Sequence, residues 1–306
     1  MYTKLIEEIQ TNAYNVYGIE IFRGGKSEFT RHFAPDIRYP IYSATKAFTS
    51  TAVGLAVAEG KLSVDDPLSA YLEQKYVQYV PTKQREVFAK LPIRRFLTMS
   101  VPGYPFRPEG TDWLQFALEC PVDYGAAPVF DYSNIPAYLA GVAVEHAVGE
   151  HLGDYLKSRL FEPLGIHNPV YQKCPAGHFY GASGMELTVH ELSLLGQLYL
   201  QKGQFQGTQI LPKWWVQEAT SVQQPNREGG YGYYFWKYGE GYRISGKWGQ
   251  RCLIFPAQLD GQEAVADGGE YSGRQDSLMV TYLSNMQSGS GRVTELIEEY
   301  VLRRNG

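Results

Sequence analysis

Apolar and polar positions follow two different periods along this chain, and the switches between them outline its organisation. Leu5, Ile6 and Ile9 share one face of a helical repeat, predicting a helix over 4–13. Val16 to Phe22 and Glu28 to Phe33 are short β-branched and aromatic runs. They flank Arg23-Gly24-Gly25-Lys26, whose Gly-Gly pair suits a tight hairpin. The Ala-rich stretch 44–59 predicts a strong helix ending near Gly60. Helical periodicity then dominates, most clearly over Pro92 to Met99, Trp113 to Leu118, Ile135 to Val148, Leu152 to Leu160, 188–202 and 212–219. After Gly230 the pattern reverts to short aromatic or β-branched runs broken by Gly and Pro: Tyr231 to Tyr238, Tyr242 to Trp248, Cys252 to Phe255 and Leu278 to Leu283. Thr294 to Leu302 predicts a closing helix.

Strands at both ends and helices between them predict an α/β (α+β) fold. Its economical form is a mostly antiparallel sheet completed by both termini and flanked by helices, with an all-helical insertion. The expected division is 1–62 with 185–306 for the sheet part and 63–184 for the helical part, with a shared cleft between them. Strands do not alternate regularly with helices, which disfavours a doubly wound parallel sheet.

Composition narrows the function classes. The chain has 306 residues, a formal charge of −4, 44% hydrophobic and 20% charged residues. That is enough apolar material for a sizeable core. The weak acidity and lack of a Lys/Arg run argue against nucleic-acid and anionic-membrane partners. No apolar run of about 18 residues exists to span a membrane. MYTKLIEEIQ lacks the basic and apolar regions of a signal peptide, so the sequence as written reads as cytoplasmic. A trimmed mature form would instead be periplasmic or secreted. Cys120, Cys174 and Cys252 are odd in number and widely spaced, and read as buried apolar residues rather than a disulfide framework or zinc cage. Tyrosine, with 24 copies, is over-represented.

Several catalytic signatures are absent. There is no G-x-S-x-G, no H-E-x-x-H, and no metal-ligand spacing among the six histidines. Gly25-Lys26-Ser27 fails as a phosphate loop because Glu20 stands where that loop needs glycine. No cofactor or metal is therefore expected.

Three local patterns remain. Ser43-Ala44-Thr45-Lys46 is an S-x-x-K at the start of the 44–59 helix, with Lys46 one turn after Ser43 on the same face. A serine hydroxyl needs an adjacent base or cation to become a nucleophile, and a helix N-terminus favours a developing oxyanion. Taken alone, the same residues also read as an N-cap and a solvated lysine. Tyr132-Ser133-Asn134 precedes the helix at 135–148, and by itself reads equally as a turn. Ser245-Gly246-Lys247-Trp248-Gly249-Gln250 lies on or beside a late strand, where a hairpin turn is the plain alternative.

In this order the three patterns resemble the motifs of the serine β-lactamase and penicillin-binding-protein superfamily: S-x-x-K, then Y-x-N or S-x-N, then K-T-G. The tyrosine of the second motif, and its distance from the first, are similar to the class C branch. That branch holds class C β-lactamases, DD-peptidases, family VIII carboxylesterases and aminohexanoate-oligomer hydrolases. The resemblance covers nearly the whole chain, including Lys61-Leu-Ser-Val-Asp-Asp-Pro67, Phe161-Glu-Pro-Leu-Gly-Ile166 and Gly184-Met-Glu-Leu-Thr-Val-His190. It implies a β-lactamase/transpeptidase-like fold and hydrolysis of an ester, amide or β-lactam through an acyl-enzyme. The substrate would be a small-molecule or peptide-like compound. By resemblance, Ser43 is the nucleophile, Lys46 helps deprotonate it, Tyr132 is the general acid/base, and Asn134 orients Lys46 and the substrate. A free tyrosine titrates near about 10 and is protonated at neutral pH, so which member of a Tyr–Lys pair is the base stays open.

The third motif departs from the pattern. Either Lys247-Trp248-Gly249 stands for K-T-G, placing one oxyanion N–H at Gln250, or Trp248-Gly249-Gln250 stands for the W-G-G of some esterases. Both put an indole where a hydroxyl usually receives a substrate carboxylate. This favours neutral esters or amides over a β-lactamase or DD-carboxypeptidase proper. A non-catalytic penicillin-recognising sensor is the remaining alternative. Glu162 might be mistaken for the deacylating glutamate of class A enzymes, but its Phe-Glu-Pro-Leu-Gly context resembles a structural turn. Tyr42, Tyr104, Tyr231, Tyr233 and Tyr234 are expected to wall the cleft for an apolar or planar acyl group. The segment 257–276 looks longer than usual for the family.

Overall fold

In the computed structural model, residues 2–257 and 276–303 are described. Most of the expected 257–276 excursion therefore lies outside the described residues.

The centre is a six-stranded antiparallel sheet. It contains β1 (Val16–Arg23) and β2 (Lys26–His32) from the N-terminal part of the chain. The short ladders β3 (Tyr39–Pro40) with β4 (Glu186–Leu187), and β5 (Gln204–Phe205) with β6 (Thr208–Gln209), stand apart from it. The C-terminal part adds β7 (Trp236–Tyr238), β8 (Gly241–Gly246), β9 (Gln250–Phe255) and β10 (Leu278–Ser284). The spatial order is β2-β1-β10-β9-β8-β7, so the two ends of the chain meet in one sheet at β1 and β10. Every residue of β10 is buried, because both faces of the sheet are covered. The edge strand β2 is exposed along nearly its whole length, which suits its Lys, Ser, Glu, Thr and Arg.

Helices α1 (Thr3–Thr11) and, near the C-terminus, α5 (Ser290–Ile297) cover one face, packing Leu5, Ile9, Val293 and Leu296 on Ile19, Ile21, Leu253 and Val280. Helices α2 (Thr45–Ala58), α3 (Ile135–Val148) and α4 (Val189–Leu200) belong to the larger core on the other side. Helices α2 and α3 are buried almost all round, which explains why their sequences are apolar on every face. The larger core takes buried residues from 63–184 and from the sheet without a break at either expected boundary.

Three local readings are corrected. Only Trp236–Tyr238 of the run Tyr231 to Tyr238 joins the sheet, and Tyr234 adopts a left-handed φ of 69° that no strand accommodates. The 44–59 helix begins at Thr45, after a single 3₁₀ turn over Tyr42–Ala44. The closing helix starts earlier, at Ser290, and ends in a wider turn over Glu298–Leu302. The three cysteines are buried and free, and burial raises the Cys120 and Cys252 thiols to about 11 and about 12.

Candidate active site

Ser43 sits in the 3₁₀ turn and is not a helix cap: no side-chain cap bond closes either the turn or α2. The β3–β4 ladder delivers the chain to this turn, and Ile41 N–H donates to Met185 O at 2.9 Å. Tyr42, directly before Ser43, has φ 49°. A bulky residue held left-handed carries local strain, a condition that collects at functional positions.

Lys46 is 1% exposed. Its Nζ lies 3.1 Å from Ser43 Oγ, 2.7 Å from Asn134 Oδ1 and 2.9 Å from Ala182 O. Burial holds its amine well below the ordinary lysine range, and no carboxylate among the described residues counters it.

The second motif lies between α2 and the loop 99–106. Asp131 N–H donates to Met99 O, and Asn134 N–H donates to Phe106 O at 2.7 Å. The Tyr132 ring sits 4.8 Å from Lys46 Nζ. Burial pushes the Tyr132 phenol up to about 12, against a smaller downward pull from its hydrogen bond with Ser43 and from the Arg251 cation. Asn134 also donates from Nδ2 to the Tyr180 hydroxyl at 3.0 Å. The structure thus brings Ser43, Lys46, Tyr132 and Asn134 into one contact group.

The residues of the expected third motif lie where β8 turns into β9. Strand β8 ends at Gly246, whose missing Cβ would come within 2.2 Å of Ile41 O. The strand end therefore abuts the backbone that enters the Ser43 turn. Lys247, Trp248 and Gly249 form the loop that joins β8 to β9. Lys247 is exposed and folds over the Trp248 ring, which meets Tyr42 edge-on at 5.1 Å. Trp248 has φ 62°, and its carbonyl accepts from Ser284 Oγ and from Met286 N–H. Gln250 is buried, and its amide bonds Ser284 at the end of β10. The Gln250 side chain therefore ties two strands together rather than presenting itself to a substrate.

The expected tyrosine wall is only partly assembled. Tyr42 lies against Trp248, and Tyr231 meets Tyr132 edge-on at 6.2 Å. Tyr104 is buried and bonds Tyr124, while Tyr233 bonds Glu218 against Trp215. Tyr104 and Tyr233 are core residues. Phe130 and Trp236, both partly buried, take their place around Tyr132 at 6.4 and 5.5 Å. Glu162 is exposed at the first residue of a one-turn helix.

Two cavities flank the second motif. One, of about 540 Å³, is lined by Phe106, Arg107, Trp113, Asn134, Tyr180 and Ser183 among others. The other, of about 710 Å³, is lined by Phe130, Trp236, Val129, Asn226, Arg227 and Glu228 among others. Arg251, Tyr180 and the Ala182 carbonyl carried no signal in the sequence. Arg251 sits in a strand, and the other two contribute through a position that only the fold creates.

The mixed α/β fold, with its antiparallel sheet and covering helices, is that of the β-lactamase- and penicillin-binding-protein-like hydrolases. The Beta-lactamase family model matches residues 10–302, and the chain belongs to that family. It is 24% identical over 243 residues to the 6-aminohexanoate-dimer hydrolase of Paenarthrobacter ureafaciens, covering 70% of this chain and 58% of that one. Among solved structures, FmtA from Staphylococcus aureus superposes with a TM-score of 0.75 at 15% identity, covering 100% of this chain and 87% of that one. A D-stereospecific amidohydrolase from Streptomyces gives 0.69 at 19% identity, covering 98% of both chains. The matched region spans between 34% and 60% of the length of the curated relatives. None of the described helices is long and apolar enough to cross a membrane.

Proposed function

We propose that the protein is a serine hydrolase that cleaves an ester or amide through an acyl-enzyme on Ser43. The observation that carries this reading is the bonding of the Lys46 amine. A neutral amine has two N–H donors and one lone pair. Its two carbonyl-type neighbours, Asn134 Oδ1 and Ala182 O, take the two donors. The lone pair is then left for the Ser43 hydroxyl, the one neighbour able to donate.

Burial favours this neutral form, which suits Lys46 to accept the Ser43 proton. The Ser43 proton passes to Nζ as Oγ bonds the substrate carbonyl carbon. Tyr132, raised to about 12, is protonated at neutral pH and is the acid for the leaving group. Opposite displacements of neighbouring groups support this division of roles. After the leaving group departs, the Tyr132 phenolate takes a proton from the water that attacks the acyl carbonyl, and the Lys46 ammonium returns its proton to Ser43 Oγ as the acyl–oxygen bond breaks.

One oxyanion donor is the Ser43 N–H. The close approach of Gly246 to Ile41 O favours Ser245-Gly246 as the third motif, with Lys247 N–H as the second donor. The lead substrates are neutral esters and amides with apolar groups on either side, matched to the two flanking cavities.

The test is a panel of p-nitrophenyl esters, D-amino-acid amides, a chromogenic cephalosporin and D-Ala-D-Ala peptides, run on wild type and Ser43→Ala. Turnover, or a stable adduct at Ser43, lost in the variant is expected. Absence of both from wild type, including with a fluorophosphonate probe, removes the catalytic reading.

A further inference from the structure

A cavity of about 290 Å³ opens beside a buried carboxylate, Glu145, near the end of α3. Glu145 Oε1 accepts from Leu152 N–H at 3.0 Å and from Phe179 N–H at 3.2 Å. Its Oε2 lies 2.5 Å from His178 Nδ1. One side chain thus joins α3, the start of the next helix and the segment 178–179.

The next three residues each supply one acceptor to the active-site helices. The Tyr180 hydroxyl takes Asn134 Nδ2, Gly181 O takes Thr49 Oγ1 at 2.7 Å, and Ala182 O takes Lys46 Nζ. This segment is irregular, and few backbone bonds of its own hold it: Tyr180 N–H to Gln172 O and Ala182 N–H to Tyr180 O. It is fixed from one side by 178–179 and from the other by Gly184 O, which accepts from Gln172 N–H, and by Met185 O, which accepts from Ile41 N–H.

We infer that Glu145, with His178, is a positioning pair that holds the 180–182 segment, and with it Ala182 O, against Lys46. The proposal rests on the role given to Lys46 above, but its geometry is independent of the substrate. Releasing the pair would let the 180–182 segment move, admit water to Nζ and return the amine toward the ordinary lysine range. The groups facing His178 are Glu145 and His146 on α3, Glu150 and His151 after it, and Glu73 and Asp112 from 63–184. The hydrogen bond to Glu145 raises the imidazole above its usual range, which favours the protonated form of His178 beside the carboxylate.

The experiment follows Lys46 directly, by carbon NMR of ¹³C-lysine-labelled protein across pH, with the signal assigned through Lys46→Met. A second arm measures the pH dependence of fluorophosphonate labelling of Ser43. Glu145→Leu removes every acceptor, and Glu145→Gln keeps the oxygen that takes the two backbone N–H groups. The expected result for Glu145→Leu is a Lys46 midpoint at higher pH and labelling at pH 7 slowed about tenfold or more. Glu145→Gln restores most of both. Glu59→Gln, which breaks the exposed pair with Arg159, moves neither.

A Glu145→Leu protein with an unmoved Lys46 midpoint overturns the inference, whatever its melting temperature. If that variant does not fold, His178→Phe decides: a midpoint moved up supports the pair, and an unmoved one overturns it. Wild type that shows the NMR behaviour but never labels at Ser43 refutes the hydrolase reading and leaves the positioning role standing.

Discussion

Replacing Gly246 with alanine tests whether the end of β8 fixes the Ser43 turn. The added Cβ would lie 2.2 Å from Ile41 O, against an ordinary van der Waals distance of at least 3.4 Å. One of the two backbones must therefore yield by about 1.2 Å. Ile41 O also accepts the Ala44 N–H that closes the 3₁₀ turn around Ser43, at 3.1 Å. Displacing it tilts Ser43 away from Lys46 Nζ. A misplacement of about 1 Å costs on the order of 10²-fold in rate, and overpacking costs about 1–3 kcal/mol in stability. Gly241 supplies a matched control at the other end of the same strand, because its added Cβ would meet Ile254 O at 2.1 Å, far from the site. Gly246→Ala and Gly241→Ala should therefore melt at similarly lowered temperatures. Only Gly246→Ala should slow the second-order labelling of Ser43 by a fluorophosphonate, by about 10²-fold. Equal labelling rates in the two variants, or a wild-type rate in Gly246→Ala, would refute the argument that β8 positions the nucleophile.

Four further outcomes can be measured. Lys46→Met should slow acylation by about 10²–10⁴-fold, measured as the burst on a p-nitrophenyl ester. The same variant checks the linkage sign. Because the folded-state Lys46 pKa is depressed, wild type is penalised below that value and relieved as pH rises toward the ordinary lysine value of about 10.4. Urea unfolding of wild type should show this rising component between the two values, and Lys46→Met should lack it. Tyr132→Phe should slow turnover of amides more than of p-nitrophenyl esters, because the poorer leaving group needs the proton; equal losses on both would argue against an acid role. Cys120, Cys174 and Cys252 should stay unreactive toward a disulfide-exchange reagent at neutral pH until denaturant is added, since the thiolate is the reactive form and burial disfavours it at Cys120 and Cys252.

The fold class was legible because period and composition carry it locally. The short aromatic and β-branched runs after Gly230 marked C-terminal strands, and the periodicity over 135–148 marked a helix. Tyr231 to Phe235 was misleading because β propensity and packing use the same residues: Tyr231 packs on Tyr132, and Tyr233 and Phe235 pack into the core, rather than joining a ladder. Ser43 looked like an N-cap, yet its hydroxyl neighbours the Lys46 amine, a distinction that spacing alone cannot make. The close approach of Gly246 to the Ile41 carbonyl was not legible, because no residue near Gly246 in sequence reports that contact.

What the sequence determines by itself is thus the set of chemical groups and the order of strands and helices, since hydroxyl, amine, phenol and amide are side-chain identities and periodicity is local. The tertiary structure decides which lysine is dehydrated, which hydroxyl it faces and which backbone carbonyl completes its shell. Those properties come from residues more than 80 positions apart, Lys46 with Asn134 and Ala182, meeting where water is excluded. Removal of water shifts the amine, and only packing removes water.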